Sequence, residues 1–224
     1  MKPASAHHSE GVAPKRRPQL VMSGVELSTH RIEALCDGVF AIAMTLLVFQ
    51  IRLPGPDDVG AARAFRALWP SLTSYAASFA VLGVYWVGQH TQFHFIRHAD
   101  QVLIWMTLGF LMLIAAIPFS ASLLSRYEFA RWTVIVYGCH LILIGSTHYL
   151  VWRYVSHRSR LLGPHADALT IRVLRRVSLR PLLVYVAAVA FSFVNPYVSV
   201  LAYAVVPVVL IVRAVMPEHR GGHN

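Results

Sequence analysis

Long apolar blocks alternate with short polar segments along this chain, and each block is close to the length that a helix needs to cross a bilayer. That length is about 20 residues. The pattern predicts six such helices, at about 28–51, 68–94, 102–124, 132–154, 169–194 and, after a turn at Asn195-Pro196, a last one that ends near 216. We therefore expect an all-α integral membrane protein with six transmembrane helices.

Prolines mark several boundaries of the predicted helices. The first helix is expected to stop at Arg52-Leu-Pro-Gly-Pro, because this run combines strong helix breakers. The second is expected to begin at Trp69-Pro70, since proline is tolerated in a first turn. Pro118 lies inside the third segment and predicts a kink there.

The fifth predicted helix has an unusual composition. Its apolar part, 181–194, is too short to span a membrane alone and is expected to borrow from 169–180. In the stretch 169–180, apolar residues interleave with four arginines: Arg172, Arg175, Arg176 and Arg180. Such a basic amphipathic stretch suits the headgroup region, where long arginine side chains reach the water.

The composition agrees with a membrane protein. Hydrophobic residues make up 56% of the 224 residues and charged residues only 13%, and the mean hydropathy is +0.55. Soluble domains carry about 25% charged residues, so a soluble fold is excluded. The two cysteines, Cys36 and Cys139, both lie in apolar segments and provide no disulfide framework.

The positive charge of the chain indicates its orientation in the membrane. The formal net charge is +10 and the isoelectric point is about 10.2. Fifteen of the 20 lysines and arginines lie in the two termini and the even-numbered loops, against five in the odd-numbered loops. Since cytoplasmic loops carry the excess of Lys and Arg, both termini are expected in the cytoplasm. The charge thus predicts topology, and no nucleic-acid partner is expected.

The first helix carries a periodic stripe of large apolar residues. Its members recur at spacings of four, three, four and three, which form one seam on a helix: Leu35, Val39, Ile42, Leu46 and Phe49. Beside it runs a stripe of small residues that permits close approach between membrane helices: Ala34, Gly38, Ala41 and Thr45. By periodicity alone, the seam also fits a helix that faces lipid or packs within its own bundle.

Asp37 is an acidic residue deep inside the first segment. An ionised group at such depth costs about 2.5–3.5 kcal/mol on insertion scales and normally has a partner. On a helical wheel Asp37 lies nearly opposite Leu35, so it is expected to point away from the seam toward neighbouring helices. Trp86 and His90 of the second segment are the candidate partners.

These residues resemble a known channel family. The run Arg31-x-x-x-Leu35-Cys36-Asp37-Gly-Val-Phe-Ala-Ile-Ala-x-Thr-Leu-Leu-Val is similar to the first-helix motif of the prokaryotic relatives of the lysosomal TMEM175 potassium channel, which reads Arg-x-x-x-Phe-Ser-Asp. The likeness continues in Tyr85-Trp86-x-x-x-His90, Leu103-Ile-Trp105 and Ile117-Pro-Phe-Ser-Ala-Ser-Leu-Leu124. It therefore covers roughly residues 28–128.

The resemblance implies a homotetramer in which the first helices line a central pore. Carried over by motif position, the rings of large apolar side chains that form the pore constriction fall on Ile42, Leu46 and Phe49, with Leu35, Val39 and Thr45 beside them. A structural network would join Arg31 and Asp37 to Trp86 and His90. The chain departs from the family pattern in three ways: Leu35-Cys36 replaces Phe-Ser, Phe49 stands where a leucine is usual, and Gln89 stands where a second histidine is common.

The implied function is a potassium-permeable, weakly to moderately potassium-selective cation channel of the cell membrane. Its expected partners are other copies of itself, the lipid bilayer and potassium ions, with no cofactor, no metal site and no catalytic group. The expected organisation is a disordered cytoplasmic tail at 1–27, a six-helix transmembrane channel domain at 28–217 and a short cytoplasmic tail at 218–224.

Two alternative functions use polar residues of the same region. His90, His94 and His98 recur at i, i+4 and i+8, and helical histidines four residues apart can share a metal, as in a metal-ion transporter or sensor. An intramembrane enzyme would instead pair Asp37 with His90 or His140. One acid paired with one histidine is a poor catalytic set.

Overall fold

The computed structural model describes residues 29–51 and 61–215, and most of these residues are helical. Seven α-helices follow one another within these ranges: α1 (Thr29–Leu46), α2 (Ala61–His94), α3 (Gln101–Ala115), α4 (Ile117–Arg126), α5 (Arg131–Ser156), α6 (Ala168–Phe191) and α7 (Pro196–Val215). A short 3-10 turn, Leu47–Gln50, continues α1. The predicted third segment is divided into α3 and α4, so the seven helices correspond to the six predicted segments.

The start of the second helix differs from the prediction. α2 begins at Ala61 and not at Trp69-Pro70, so Pro70 lies inside the helix. The residues before Pro70 are mostly strong helix formers, and they continue the helix upstream despite the hydrogen bond that proline removes. The expected tails at 1–27 and 218–224, and the expected breaker at Arg52, lie outside the described residues.

Among the residues that the structure describes, three segments are long and apolar enough to cross a membrane by length and composition. They are Thr29–Gln50, Gln101–Arg126 and Arg131–Ser156, with mean hydropathies of 2.0, 2.3 and 1.6. The prediction of a fifth helix that extends through its basic stretch is confirmed, because α6 runs without interruption over 24 residues. Pro196–Val205 is a shorter apolar stretch within α7.

The break between α3 and α4 confirms the kink predicted from Pro118 and is stabilised by a histidine of α5. The ring nitrogens of His140 lie 2.8 Å from the Ser120 hydroxyl and 3.0 Å from the Leu113 carbonyl. Leu113 is in the last turn of α3, where carbonyls lose their helical partners. His140 thus adds a second hydrogen bond to the Leu113 carbonyl, which also accepts from Ala116 N–H at 3.1 Å.

The core of the bundle forms around α5. This helix packs against α3, α4, α6 and α7, and α1 packs against α2, α3 and α4. The largest fully buried side chains are aromatic: Trp152, Tyr137, Tyr185, Tyr203, Phe40 and Phe110. Trp152 donates a hydrogen bond of 3.3 Å to the Ile171 carbonyl, which fixes the first half of α6 against α5.

The loops that follow α2 and α5 are joined by backbone hydrogen bonds. Ile96 and Leu162 form an antiparallel bridge. Arg97 N–H donates to the Leu161 carbonyl at 2.8 Å, and Gly163 N–H donates to the Phe95 carbonyl at 2.9 Å. We call this pairing of 95–97 with 161–163 the loop clasp. It connects the end of α2 to the approach of α6.

Asp100 extends the loop clasp through its side chain. It caps α3 by accepting from Leu103 N–H at 3.0 Å, and it also accepts from the Tyr154 hydroxyl at 2.7 Å and from Arg160 at 3.2 Å. Partial burial alone would raise the pKa of Asp100. These hydrogen bonds and the nearby charge of Arg158 outweigh burial and hold its pKa below the ordinary value of 3.8.

The depressed pKa of Asp100 predicts an acid-sensitive contribution to stability. A carboxylate whose pKa is lower in the folded state stabilises the fold above its unfolded pKa, and this contribution is lost as the pH falls through the folded pKa. The unfolding midpoint of the wild type should therefore exceed that of Asp100→Asn by a constant margin above about pH 5. The margin should shrink below about pH 4. Thermal unfolding in detergent between pH 3 and 7 measures it.

Tyr154→Phe is the matched control for this experiment because it removes one donor to Asp100 and leaves the carboxylate in place. The unfolding midpoint of Tyr154→Phe should exceed that of Asp100→Asn by less than the wild-type midpoint does. A margin that does not change with pH would contradict the assignment of Asp100 as an ionised cap.

Candidate functional site: the outward face of the first helix

One face of α1 is packed into the bundle. Its buried residues recur at spacings of three and four: Ile32, Cys36, Phe40, Ala43 and Leu47. Phe40 contacts Phe110 of α3, with ring centroids 6.1 Å apart. Burial of this stripe fixes the rotation of α1, because any other rotation would expose Phe40 and Leu47 and leave unfilled space.

The predicted seam lies along one side of the outward face of α1, the face that is not packed into the bundle. In the single chain, Leu35, Ile42, Leu46 and Phe49 are 47%, 60%, 44% and 79% exposed. Val39 differs, because it is only partly exposed and packs against the core. The seam therefore lies along the edge of the outward face, next to the buried stripe.

The predicted stripe of small residues occupies the middle of the outward face. Ala34, Gly38, Ala41 and Thr45 are all exposed. A Cβ atom added at Gly38 would have no neighbour within 4 Å in the single chain. The Thr45 hydroxyl donates to the Ile42 carbonyl at 2.8 Å, so it is already used within its own helix. The outward face thus offers a shallow apolar groove beside a ridge of large side chains.

Asp37 is attached to α2 at the far edge of the outward face. Trp86 Nε1 donates a hydrogen bond of 2.8 Å to Asp37 Oδ1. The His90 ring stacks on Trp86, with centroids 6.1 Å apart and planes at 24°. Asp37 is exposed, and its bond to α2 agrees with the expectation that it points away from the seam. Within the described ranges, Arg31 forms no ion pair, so it does not join this group in the single chain.

Two residues that depart from the family pattern contact each other. The Gln89 amide lies 3.7 Å from the Cys36 sulfur, a long contact to a weak acceptor. Both residues are buried, and both line a cavity of about 10 Å³ together with Asp37 and His90. That volume is about the room that one water molecule needs. α1 is therefore held to α2 by one strong polar bond and one weak one.

The three histidines proposed as a metal site do not share one helix face. α2 ends at His94, and His98 lies in the loop that follows. Across residues 29–51 and 61–215, no group of three His, Cys, Asp or Glu side chains is arranged to hold a metal ion. The alternative acid–base pairing of Asp37 with His140 also lacks a contact, because the bonds of His140 are to the α3–α4 break.

A buried polar group between α2, α5 and α6 was not predicted from the sequence. The Gln92 amide lies 3.4 Å from His148 Nδ1 and 3.2 Å from the Ser178 hydroxyl. His148 and Ser178 are 56 and 86 positions from Gln92 along the chain, and only the fold brings them together. In the sequence, the only indication of this group is a histidine on an apolar helix. Such a histidine does not predict which residues it contacts.

Comparison with known proteins identifies the family of the chain. Residues 31–118 match the model of the endosomal/lysosomal potassium channel TMEM175. A potassium channel from Chamaesiphon minutus is 33% identical over 188 residues, which are 81% of this chain and 92% of that protein. The chain belongs to the TMEM175 family. A potassium channel from Streptomyces collinus is 32% identical over 77% of this chain and 86% of that protein.

A solved TMEM175 structure has the same fold. The crystal structure of a lysosomal potassium-selective channel TMEM175 homolog from Chamaesiphon minutus superposes with a TM-score of 0.73 at 30% identity. The match covers 83% of this chain and 97% of that one. The TMEM175 channel fold therefore extends through α5 and α6, beyond the part that the first-helix motif covers.

The Asp37–Trp86 bond predicts coupled effects on stability. Asp37→Ala should lower the free energy of unfolding by about 1–3 kcal/mol, because the indole N–H loses a charged acceptor. Trp86→Phe removes the donor, and the double variant should then cost less than the sum of the two single variants, by about 1 kcal/mol. Unfolding of the four proteins in detergent measures this coupling. Additive effects would show that the bond contributes nothing.

Proposed function

We propose that this protein is a potassium-permeable cation channel of the cell membrane, with its pore formed where the first helices of several copies meet. The relatives from Streptomyces and Chamaesiphon, which match 77% and 81% of this chain, are named potassium channels. A channel needs no nucleophile or acid–base pair, and the outward face of α1 has apolar side chains where an ion pathway needs a wall.

The observation that carries the proposal is the seam of large apolar side chains on α1. Ile42, Leu46 and Phe49 project from the single chain while the other face of the same helix is packed. The family resemblance assigns pore-lining roles to the same three residues. Periodicity, exposure and motif position therefore all support the same face of α1 as the pore wall.

Several copies are required because a single helix cannot enclose a pore. The exposed small residues beside the seam, including Gly38 and Ala41, allow neighbouring copies to approach closely. The family resemblance implies four copies around one axis. Each seam residue would then contribute one ring of four identical side chains.

A ring of apolar side chains controls ion passage through its effect on water. A narrow apolar constriction expels water and blocks ions, and a small dilation wets it again. An ion that passes must shed part of its hydration shell, and Na⁺ holds its shell more tightly than K⁺ does. Weak to moderate selectivity for K⁺ follows, because the ring offers no ligands to replace the lost water. Asp37 contributes to the attachment of α1 and not to the pathway, since its carboxylate bonds Trp86.

The proposed topology has six membrane crossings with both termini in the cytoplasm. α1, the α3–α4 pair and α5 meet the length and hydropathy requirements. α2, α6 and α7 supply the other three crossings, with 34, 24 and 20 residues. The loop clasp and the arginines of α6 then lie on the cytoplasmic side, as the excess of basic residues in the even-numbered loops requires.

Substitution of a polar residue in the seam should open the constriction and reduce selectivity. Ile42→Asn supplies four amides per tetramer that hydrate either ion and keep the ring wet. We expect larger currents and poorer discrimination between K⁺ and Na⁺, with a smaller effect for Leu46→Asn. Phe49→Leu should widen the outer ring and raise the conductance modestly. Flux of K⁺ and Na⁺ into liposomes that contain the purified variants measures each change.

Val48→Asn is the matched control for the seam. Val48 is 49% exposed, close to the value for Leu46, but lies two residues further along and so on the other side of the helix. The control should leave the K⁺ to Na⁺ flux ratio unchanged. Equal effects of Ile42→Asn and Val48→Asn on that ratio would rule out the seam as the pore wall.

The small-residue stripe predicts a specific effect on assembly. Native mass spectrometry in detergent should report a tetramer for the wild type. Gly38→Leu has free space around it in the single chain, so it should fold but fail to form tetramers, because the added side chain separates neighbouring copies. Gly109→Leu on α3 has the same free space and should remain tetrameric. A stable monomer that conducts ions would end the proposal.

A further inference from the structure

Four arginines form an exposed stripe on the first half of α6. Arg172, Arg176 and Arg180 are four residues apart, with Arg175 beside them, so their side chains share one side of the helix. All four are exposed. The exposed side of α6 continues past Arg180 as apolar residues, including Leu183 and Val186. The same side of one helix is therefore basic in its first half and apolar in its second.

In residues 29–51 and 61–215, no acidic side chain forms an ion pair with the arginine stripe. Within the described residues, both ion pairs are to Asp100, and neither involves an arginine of α6. The nearest acid in sequence is Asp167, which caps α6 by accepting from Thr170 N–H at 2.7 Å. Hydrogen bonds from Thr170 and the weaker influence of the Arg172 charge hold the pKa of Asp167 below its ordinary value. Because Asp167 is a single carboxylate, most of the positive charge of the four arginines remains available to an anion from outside the chain.

The arginine stripe is held in place before any ligand binds. Asp167 fixes the start of the helix, and Trp152 of α5 donates to the Ile171 carbonyl in the first turn. The opposite face of α6 packs through the buried residues Pro181 and Tyr185. A preorganised stripe loses less conformational freedom on binding than a flexible loop does.

The length of α6 requires part of the arginine stripe to lie within a leaflet. The apolar half from Pro181 to Phe191 is about 16 Å long at about 1.5 Å per residue. The hydrocarbon core of a bilayer is about 30 Å thick. If α6 crosses the membrane, the residues just before Pro181 must enter the core, and Arg176 and Arg180 are among them. Charged groups at that depth need an anion or water drawn in beside them.

We propose that the arginine stripe of α6 binds the headgroup phosphate of an anionic phospholipid. Two guanidinium groups one helical turn apart, such as those of Arg176 and Arg180, can each donate a pair of hydrogen bonds to phosphate oxygens. The acyl chains of the same lipid lie along the apolar second half of α6. The site binds one molecule through both of its halves, which inorganic phosphate cannot match.

A second copy of the chain is a poor occupant of this surface. Pairing two α6 stripes would bring like charges together without a carboxylate between them, which is unfavourable. The outward face of α1, on the other hand, has small residues suited to contact between copies. The lipid site is therefore separate from the proposed pore, and its failure would leave the conduction proposal intact.

Native mass spectrometry of the full chain in detergent tests the proposal. The wild type is titrated with dioleoyl phosphatidylglycerol and, separately, with the zwitterionic dioleoyl phosphatidylcholine. We expect bound phosphatidylglycerol to outnumber bound phosphatidylcholine at equal concentration. In the double variant Arg176→Gln/Arg180→Gln, affinity for phosphatidylglycerol should fall by about thirtyfold, since each basic residue near an anionic headgroup contributes about fivefold.

The matched control is Arg126→Gln/Arg131→Gln, which removes the same charge at the connection between α4 and α5. It should bind phosphatidylglycerol as the wild type does. Arg176→Lys/Arg180→Lys keeps the charge but loses the paired hydrogen bonds, so it should show an intermediate affinity and remains informative if the glutamine variant does not fold.

Three results would overturn the proposal. These are equal binding of the two lipids by the wild type, equal loss of phosphatidylglycerol in the α6 variant and the control, and displacement of the lipid by millimolar inorganic phosphate. The last result would show a phosphate site with no contribution from the acyl chains.

Discussion

Burial of one stripe of α1 against α2, α3 and α4 decides which side chains this protein presents outside its own bundle. Phe40 and Leu47 are almost completely buried in the core. Replacing such residues by alanine typically lowers the free energy of unfolding by about 2–5 kcal/mol. Because side chains advance by about 100° per residue, burying that stripe leaves Ile42 and Leu46 outside. The proposed pore wall is thus fixed by contacts on the other side of the helix.

The helical segments follow from local sequence, and the contacts between them do not. Hydropathy predicts six segments because the apolar core of a bilayer favours continuous apolar runs. Pro118 predicts the break because proline lacks the N–H that donates one of the hydrogen bonds of the helix. The long upstream part of α2 was missed, since Pro70 is also compatible with a helix interior when the flanking residues favour helix. The loop clasp was missed because it joins Ile96 to Leu162.

In the candidate site, too, features within one helix could be predicted from the sequence and contacts between helices mostly could not. The seam and the deep Asp37 were visible in the spacing of residues on α1, and Trp86 was among its expected partners. The contact of Cys36 with Gln89 was not predicted, because an amide beside a sulfur leaves no pattern in sequence. The partial burial of Val39 has a geometric cause: the seam borders the buried stripe, so its innermost member packs on the core.

The unequal strength of the two polar attachments has a mechanical consequence for α1. The Asp37–Trp86 bond is short and directional, while the long contact between Gln89 and Cys36 resists displacement weakly. The remaining contacts are apolar, and their energy changes little when a helix turns by a few degrees. α1 thus has one directional polar pivot at Asp37, in the middle of the helix, and its buried stripe restricts it to small movements about that pivot. Small rotations of the helix about that pivot displace Phe49 more than Leu35, because Phe49 is further from it.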